Sequence, residues 1–191
     1  MTVVPGAIHS PADVADNVTR GAGAKGWHYA QVREGASLGK NCIIGRGAYI
    51  GTGVELGDNC KVQNYALVYE PARLEAGVFI GPAVVLTNDH FPRAINADGT
   101  PKSAEDWHPV GVHILEGASI GASATCVAPI TIGRWALVGS GSVVVKDVPD
   151  FALVVGSPAR RVGWVGKAGR PLSVDPNDPT LYVCPATGEH Y

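Results

Sequence analysis

Aliphatic residues recur at every sixth position over most of this chain. Fifteen of sixteen such positions are Ile, Leu or Val, and these types make up 45 of 191 residues, so chance would supply about four. The two runs are Val32, Leu38, Ile44, Ile50, Leu56, Val62, Val68, Leu74, Ile80, Leu86 and then Ile114, Ile120, Cys126, Ile132, Val138, Val144. A period of six fits neither a helix nor an alternating strand. It predicts a repeated unit of one short strand and one corner.

Two other positions of the six-residue unit are also restricted. The residue that directly follows the aliphatic is Gly in eight of sixteen units. The residue four places after the aliphatic is small in ten units. The small residues are Ala36, Cys42, Ala48, Cys60, Ala66, Ala72, Ala118, Ala124, Ala136 and Ser142. Three units close a triangular coil whose aliphatics point inward, and the coils stack as parallel strands about 4.8 Å apart. The predicted fold class is all-β, a parallel β-helix of about six coils; Gly-rich hairpins in a β-sandwich would not hold a strict phase.

The phase is interrupted once. The spacing from Leu86 to Ile114 is not a multiple of six, so residues 87–113 are predicted to leave the helix as a loop excursion. Segments this long without regular structure are usually functional. Backwards, the phase fades through Gly26, Arg20 and Val14, as expected for a capping coil.

Two segments are predicted along the chain. Residues 1–164 form the β-helix domain, and residues 165–191 form a short C-terminal extension. The extension carries Pro171, Pro176, Pro179 and Pro185, which argues against a long helix, and its "TLYVCP" stretch reads as a short strand followed by a turn. No function is assigned to it.

Composition excludes several classes of protein. Gly and Pro make up 39 of 191 residues, which disfavours a helix bundle, and 46% hydrophobic against 17% charged residues disfavours disorder. The net charge of −2 gives no reason to expect a nucleic-acid partner. No apolar run approaches the roughly 20 residues of a bilayer span. Met1–Pro5 contain no charged and apolar leader, so we expect a cytoplasmic protein without a membrane partner.

Three stretches carry a resemblance to a known family: "WHYAQVREGASLG", "GDNCKVQNYALVYEPARLEAGVFIGPAVVLTNDHFPRA" and "VVVKDVPDFALVVGSPARRVGW". Over residues 27–164 the chain resembles the left-handed β-helix acyltransferases, and most closely the bacterial N-acetyltransferases of nucleotide-linked 3-amino deoxysugars. The resemblance implies a left-handed helix and a homotrimer with active sites between subunits. It also implies acetyl-CoA as acyl donor, no metal, a UDP- or dTDP-linked sugar as acceptor, and direct amine attack in a ternary complex.

The candidate catalytic residues are Asn88 and His90. Asn88 matches the Asn of the family's "TN…PR" motif, which orients the sugar's amino group, although Asn88 and Asp89 also suit a plain Asx-turn. An imidazole can take the proton that amine attack releases, so His90 is the candidate general base. Galactoside- and xenobiotic-type acetyltransferases carry a catalytic His in a similar excursion, whereas the aminosugar subgroup does not depend on one here. Without it, the amine binds neutral and Asn88 positions it.

The candidate substrate-binding residues are spread along the chain. Asp89 and Arg93 belong to the same motif, and the Arg93 guanidinium can pair with a sugar-nucleotide phosphate or remain a surface group. Gln63 and Asn64 line the sugar pocket by resemblance, or form a stacked amide ladder. His113 is a candidate for the active cleft.

The candidate cofactor-binding residues lie between Gly139 and Arg161. The resemblance implies that pantetheine runs along a groove between neighbouring prisms, with Lys146, Arg160 and Arg161 as cations for the CoA phosphates. Backbone N–H groups near Gly139 and Ser140 are candidates to stabilise the tetrahedral oxyanion.

Other functions stay open. An O-acetyltransferase would use His90 as its base, and a non-catalytic β-helix scaffold would bind neither acetyl-CoA nor a sugar nucleotide. His90, His108 and His113 invite a γ-class carbonic-anhydrase-like zinc site, but His113 directly precedes the inward Ile114, unlike the ligands of that family as aligned.

The four cysteines contain no CxxC pair. Cys42 and Cys60 are eighteen residues apart and should stack at a distance compatible with a disulfide, yet in a cytoplasmic protein we expect them reduced and buried. Cys184 lies in half of a zinc-ribbon pattern without the second half, so no zinc is expected there.

Overall fold

A computed structural model describes residues 7–191 of the chain; the prediction about a leader in Met1–Pro5 lies outside them. The chain winds as a left-handed parallel β-helix with three flat faces. Most strands have two residues, because the chain turns a corner after each inward aliphatic.

Each face is one parallel sheet. The first face contains Asp13–Val14 (β1), Gln31–Val32 (β4), Tyr49–Ile50 (β7), Leu67–Val68 (β10), Val85–Leu86 (β13), Thr125–Cys126 (β16) and Val143–Val144 (β19). The second contains Thr19–Arg20 (β2), Ser37–Leu38 (β5), Glu55–Leu56 (β8), Arg73–Leu74 (β11), Val112–Ile114 (β14) and Ile130–Ile132 (β17). The third contains Lys25–Gly26 (β3), Ile43–Ile44 (β6), Lys61–Val62 (β9), Phe79–Ile80 (β12), Ser119–Ile120 (β15), Leu137–Val138 (β18) and Ala152–Val155 (β20), which is closed by the antiparallel Arg160–Trp164 (β21).

The core is the one that the period predicted. All sixteen aliphatic positions and all ten small corner residues are buried. Partners on neighbouring coils are eighteen residues apart, as in Val68 with Leu86. The predicted capping coil is present, since Val14, Arg20 and Gly26 all lie in strands.

The predicted count of about six coils was low, since the helix has about eight turns. The third face carries seven parallel strands and a further level below them, where Ile8 bridges to Gly26. At the upper end Val138 pairs with Val154, sixteen residues away rather than eighteen, so the six-residue phase is lost after Val144. The six-residue pattern therefore misses the lowest level, at Ile8, and the turns above Val144.

Three corners join the faces. The amide corner, named for Gln63 and Asn64, joins the third face to the first at residues 27–30, 45–48, 63–66, 81–84, 121–124 and 139–142. The excursion corner joins the first face to the second, and the opposite corner joins the second to the third.

The corners are held by side chains from the coil above. Oδ1 of Asn64 accepts from the backbone N of Arg46 at 2.9 Å, and Oδ1 of Asp58 accepts from the N of Lys40 at 2.7 Å on the opposite corner. A Cβ on Gly45 would lie 2.6 Å from the N of Asn64, closer than real Cβ atoms come to backbone. This close stacking explains why Gly follows the inward aliphatic so often.

The extension folds back on the upper end. Ser173–Val174 (β22) and Tyr182–Val183 (β23) form a short antiparallel pair, which confirms the strand predicted in "TLYVCP". The Tyr191 ring contacts Phe151 with ring centroids 5.3 Å apart. In residues 7–191 the only helical element is a 3₁₀ turn at Ala104–Asp106, so no helix there could span a bilayer.

The cysteines are free thiols, as expected. Cys42, Cys60, Cys126 and Cys184 are all buried. Cys42 Sγ donates to the carbonyl oxygen of Gly57 and Cys60 Sγ to that of Glu75, each at 3.1 Å. Burial raises the pKa of the Cys126 thiol to about 12.

Candidate functional site

The excursion leaves the helix after β13 and returns at β14. Leu74 pairs with Ile114, whereas partners on uninterrupted coils such as Val68 and Leu86 are eighteen residues apart, so the coil that carries the excursion is more than twice the usual length. The excursion spans residues 87–111 rather than 87–113, because Val112 and His113 already belong to β14. Its neck is closed by a hydrogen bond from the N of Val110 to the carbonyl oxygen of Asn88, 3.0 Å long.

The outer part of the excursion is built from local turns. Asp98 Oδ1 accepts from the N and Oγ1 of Thr100 at 3.0 and 2.7 Å. Ser103 and Asp106 form a capping box around the 3₁₀ turn, with Asp106 Oδ2 accepting from the N and Oγ of Ser103 at 2.8 and 2.9 Å. These bonds give the excursion a defined shape although it lies outside the prism.

His90 lies at the neck, beside Asn88. Its Nδ1 is 3.3 Å from the carbonyl oxygen of Ala128, and its ring meets Phe91 edge-on with centroids 4.2 Å apart. A proton on Nδ1 donated to Ala128 leaves Nε2 unprotonated, which is the tautomer that a general base requires. The Ala128 backbone is fixed in turn, since its N donates to Oγ1 of Thr87 at 3.0 Å.

The neighbouring motif residues differ in how they are engaged. Asp89 forms the Asx-turn, with Oδ1 accepting from the N of Phe91 at 2.9 Å, so part of its carboxylate is committed to the backbone. The Asn88 side chain has no hydrogen-bond partner among residues 7–191. Arg93 is exposed, and its Nη1 donates to the carbonyl oxygen of Pro92 at 2.8 Å.

His113 lies apart from this group. It faces outward on the second face, with Nε2 at 3.5 Å from Oε1 of Glu75. A cleft of about 440 Å³ beside it is lined by polar strand residues such as Glu55 and Arg73. His108 lies exposed on the excursion. The described part of the chain holds no group of three or more His, Cys, Asp or Glu side chains placed to share a metal ion.

Most of the predicted cofactor residues gather at the top of the amide corner. Gly139 and Ser140 follow β18, and the turn from β20 to β21 brings Arg160 and Arg161 above them. The Arg161 guanidinium lies over the Trp164 ring, 4.2 Å from its centroid. Lys146 is not in this group, because it follows β19 and lies on the excursion corner.

The two candidate oxyanion donors are not equivalent. The N of Gly139 already donates to the carbonyl oxygen of Val154 at 2.8 Å, so it has no proton left for a ligand. Ser140 holds the corner position at which Arg46 and Lys40 are capped from above, yet its N has no acceptor within residues 7–191. Of these two candidates, Ser140 N–H is therefore the one that remains available to a ligand.

Gln63 and Asn64 lie on the same corner, lower down. Three coil steps separate them from Gly139 and Ser140, about 14 Å at 4.8 Å per step. Asn64 uses Oδ1 to hold Arg46, so the structure gives it a capping role that the sequence analysis did not assign. The alternative of a stacked amide ladder does not continue upward, because the next coils carry Pro82 and Ala122 at the position of Asn64.

The site residues are thus divided between two corners of one protomer. Asn88, Asp89, His90, Arg93 and Lys146 lie on the excursion corner, whereas the Gln63 and Gly139 groups lie on the amide corner across the first face. Arg46 and Trp27, which were not predicted as site residues, line a pocket with Gln63 and Asn64. The signal was available, since Arg46 and Asn64 are eighteen residues apart and hence share a corner.

Comparison with known proteins gives the same architecture. The family described as hexapeptide repeat of succinyl-transferase matches residues 35–65 and 111–146. The bifunctional protein GlmU of Alkalilimnicola ehrlichii is 35% identical over 144 residues, which is 73% of this chain and 31% of that protein. Serine acetyltransferase of Escherichia coli K12 is 41% identical over 88 residues, 46% of this chain and 31% of that protein. The chain spans about a third of the length of these relatives.

Among solved structures, a mutant of GDP-perosamine N-acetyl transferase from Caulobacter crescentus is similar, with a TM-score of 0.59 and 27% identity. The similarity covers 84% of this chain and 58% of that one. That protein was crystallised with CoA and GDP-perosamine.

Proposed function

The chain belongs to the hexapeptide-repeat acyltransferase family, and on that premise we propose that it transfers an acetyl group from acetyl-CoA to the amino group of a nucleotide-linked deoxysugar. The observation that carries this proposal is the match of 84% of the chain to an N-acetyltransferase crystallised with CoA and a nucleotide sugar. The chemistry at the two corners supports it: an uncapped N–H at Ser140 and an imidazole at the excursion neck.

The proposed reaction is direct acyl transfer. The amine nitrogen attacks the thioester carbon, an N–C bond forms, and the carbonyl oxygen becomes an oxyanion that Ser140 N–H stabilises. Nε2 of His90 takes the proton from the amine while Asn88 orients it. The C–S bond then breaks, and the thiolate of CoA receives the proton.

A homotrimer would assemble this site. A threefold axis along the helix keeps all coils at the same height, and the excursion leaves its corner between the levels of Pro82 and Ala122. That is midway between Gln63 and Gly139 on the amide corner. The excursion of one subunit would therefore meet the amide corner of the next at the height where sugar and acetyl group come together.

The reaction belongs in the cytoplasm, where acetyl-CoA and nucleotide sugars are available. The four free, buried thiols fit a reducing compartment. The second candidate function is O-acetylation with His90 as base, which the Nδ1 contact with Ala128 and the serine acetyltransferase similarity favour.

The test is acetyl transfer measured as CoA release, with nucleotide amino sugars and their hydroxyl counterparts as acceptors. We expect His90→Ala to lower kcat about 100-fold or more, as for loss of a general base. His108→Ala, an exposed His on the same excursion, is the matched control and should change kcat less than about threefold. A small effect of His90→Ala with a large effect of Asn88→Ala would favour a neutral amine positioned by Asn88. Transfer to hydroxyl sugars alone would overturn N-acetylation.

A further inference from the structure

The lower part of the amide corner contains a pocket of about 310 Å³ that the mechanism above leaves without a role. It spans three successive coils and is lined by Trp27, His28, Ile43, Gly45, Arg46, Gln63 and Asn64. The opposite corner carries no aromatic side chain at these heights, where its residues include Lys40 and Asn41, and the excursion corner carries Gly35 and Thr52. The pocket therefore needs its own explanation.

Aromatic rings give the pocket flat, exposed surfaces. The Trp27 ring stacks on His9 with centroids 4.6 Å apart and an interplanar angle of 5°, and His9 stacks on His28 at 5.2 Å. Trp27 remains 42% exposed although it is held in place, and Tyr29 and Tyr65 on the same corner are more than half exposed. Rigid, exposed aromatic rings are the surfaces on which nucleotide bases stack.

Arg46 supplies a positive charge that no carboxylate neutralises within residues 7–191. Its guanidinium lies over the Tyr29 ring, 5.2 Å from the centroid, and Asn64 fixes its backbone from above. A planar guanidinium held in this way suits bidentate contact with a phosphate or diphosphate.

Two side-chain amides complete the pocket. The amide of Gln63 has no hydrogen-bond partner in the described residues, so it offers both a carbonyl oxygen and an NH₂ group. Asn64 uses Oδ1 on Arg46 and keeps its NH₂ group for a ligand. A primary amide is complementary to the donor and acceptor groups along a base edge.

The distances also suit an extended ligand. The pocket ends at the level of Gln63, about 14 Å below Ser140. The corner residues in between are small: Pro82, Ala83, Ala122 and Ser123. A ligand whose base lies in the pocket can run upward along this smooth stretch and bring a sugar to the acetyl group.

From these features we propose that the pocket binds the nucleoside diphosphate of the acceptor, with the base against Trp27 and Gln63 and the diphosphate at Arg46. The inference rests on the proposed function, since it assigns one part of that acceptor to one part of the corner. It makes Arg46 and Gln63 specificity residues: Arg46 for the diphosphate and Gln63 for the identity of the base.

The experiment is isothermal titration of the assembled protein with UDP, dTDP, GDP, CDP and ADP, and separately with acetyl-CoA. We expect one nucleotide to bind best. Arg46→Ala should weaken that binding at least tenfold, and Gln63→Ala should narrow the differences between bases. Lys40→Ala is the matched control, because Lys40 has the same corner position and the same backbone cap on the opposite corner. It should leave the Kd within twofold.

The titrations distinguish failure of the pocket assignment from failure of the proposed acceptor class. Tight nucleotide binding that Arg46→Ala and Gln63→Ala leave unchanged would overturn the pocket assignment and keep the nucleotide-sugar acceptor. Acetyl-CoA binding without binding of any nucleotide would overturn both the pocket and the acceptor class. Circular dichroism and size measurements of each variant exclude loss of fold as the cause.

Discussion

The amide corner and the excursion corner flank the same face and follow the same six-residue rule, yet they differ in how they carry chemistry. On the amide corner the backbone is never interrupted, and only the exposed corner side chains change from coil to coil, from Trp27 and Arg46 below to Ser140 above. On the excursion corner a long segment is inserted into one coil, between Leu74 and its partner Ile114. A solenoid can therefore acquire a site either by substitution of exposed side chains on a regular corner or by insertion of a segment into one coil. This chain shows both.

The largest effect should come from closing the excursion corner. Deleting the segment 89–110 restores a six-residue spacing from Leu86 to Ile114. We expect the β-helix to fold, since no core position is lost, while acetyl transfer falls about thousandfold or more with His90 and the acceptor contacts gone. CoA-release kinetics and circular dichroism measure the two effects. If the nucleotide Kd also rose more than about threefold, the corners would not be separable as described.

A smaller effect should separate the structural role of a corner cap from a role in substrate binding, by comparison of the amide corner with the opposite corner. Asn64→Ala and Asp58→Ala each remove one corner cap and should each cost about 1 kcal/mol of unfolding free energy, as for other lost caps. Only Asn64→Ala should also raise the KM of the acceptor, by about tenfold. Urea unfolding and steady-state kinetics provide the measurements. An equal rise of KM in both variants would mean that corner caps act on activity only through stability.

The smallest effect concerns the shape of the excursion at low pH. Hydrogen bonds from the N and then the Oγ of Ser103 lower the pKa of Asp106 below its usual range, and bonds from Thr100 lower that of Asp98. A carboxylate with a depressed pKa stabilises its turn above about pH 4 and loses that effect as the pH falls through the folded value. The hydrogen-exchange protection factors of residues 95–107 should therefore fall as the pH drops below about 4, while the coils stay protected.

The matched variants are Asp98→Asn and Asp106→Asn. Each should reduce this acid sensitivity, and the double variant should exchange at a rate nearly independent of pH after correction for intrinsic exchange. Acid sensitivity that persists undiminished in the double variant would assign it to other groups.

The sequence predicts the interior far better than the site. An inward position such as that of Ile80 requires an aliphatic side chain, and a crowded corner position such as that of Ala66 requires a small one. Residue type alone therefore identifies both kinds of position. Which corner a polar residue occupies depends on counting coils, and the separation of Gln63 from Gly139 is three coils plus the inserted segment. The spacing from Leu86 to Ile114 gives the size of the insertion, and the pairing of Leu74 with Ile114 shows that all of it belongs to one coil.

Local hydrogen bonds are still harder to read from sequence. The N of Gly139 donates to the coil above, as the N of Gly45 does at the same position of its unit, whereas the N of the next residue is bonded only where a side chain caps it. Within residues 7–191 no such side chain reaches the N of Ser140 from the coil above. That coil is shortened by two residues and ends in an antiparallel strand. The same shortening removes the six-residue phase on which the sequence analysis relied.

Strand β21 has a consequence for how these molecules behave in crowded solution. A parallel solenoid ends in unpaired strand edges, and an open edge is a template on which a second solenoid can stack to form a fibre. Because β21 runs against β20 and fills its edge, the third face has no parallel template at its upper end. The antiparallel direction of the five-residue strand Arg160–Trp164 therefore blocks end-to-end stacking of solenoids on this face. Side-by-side association of subunits is then the route to a closed assembly.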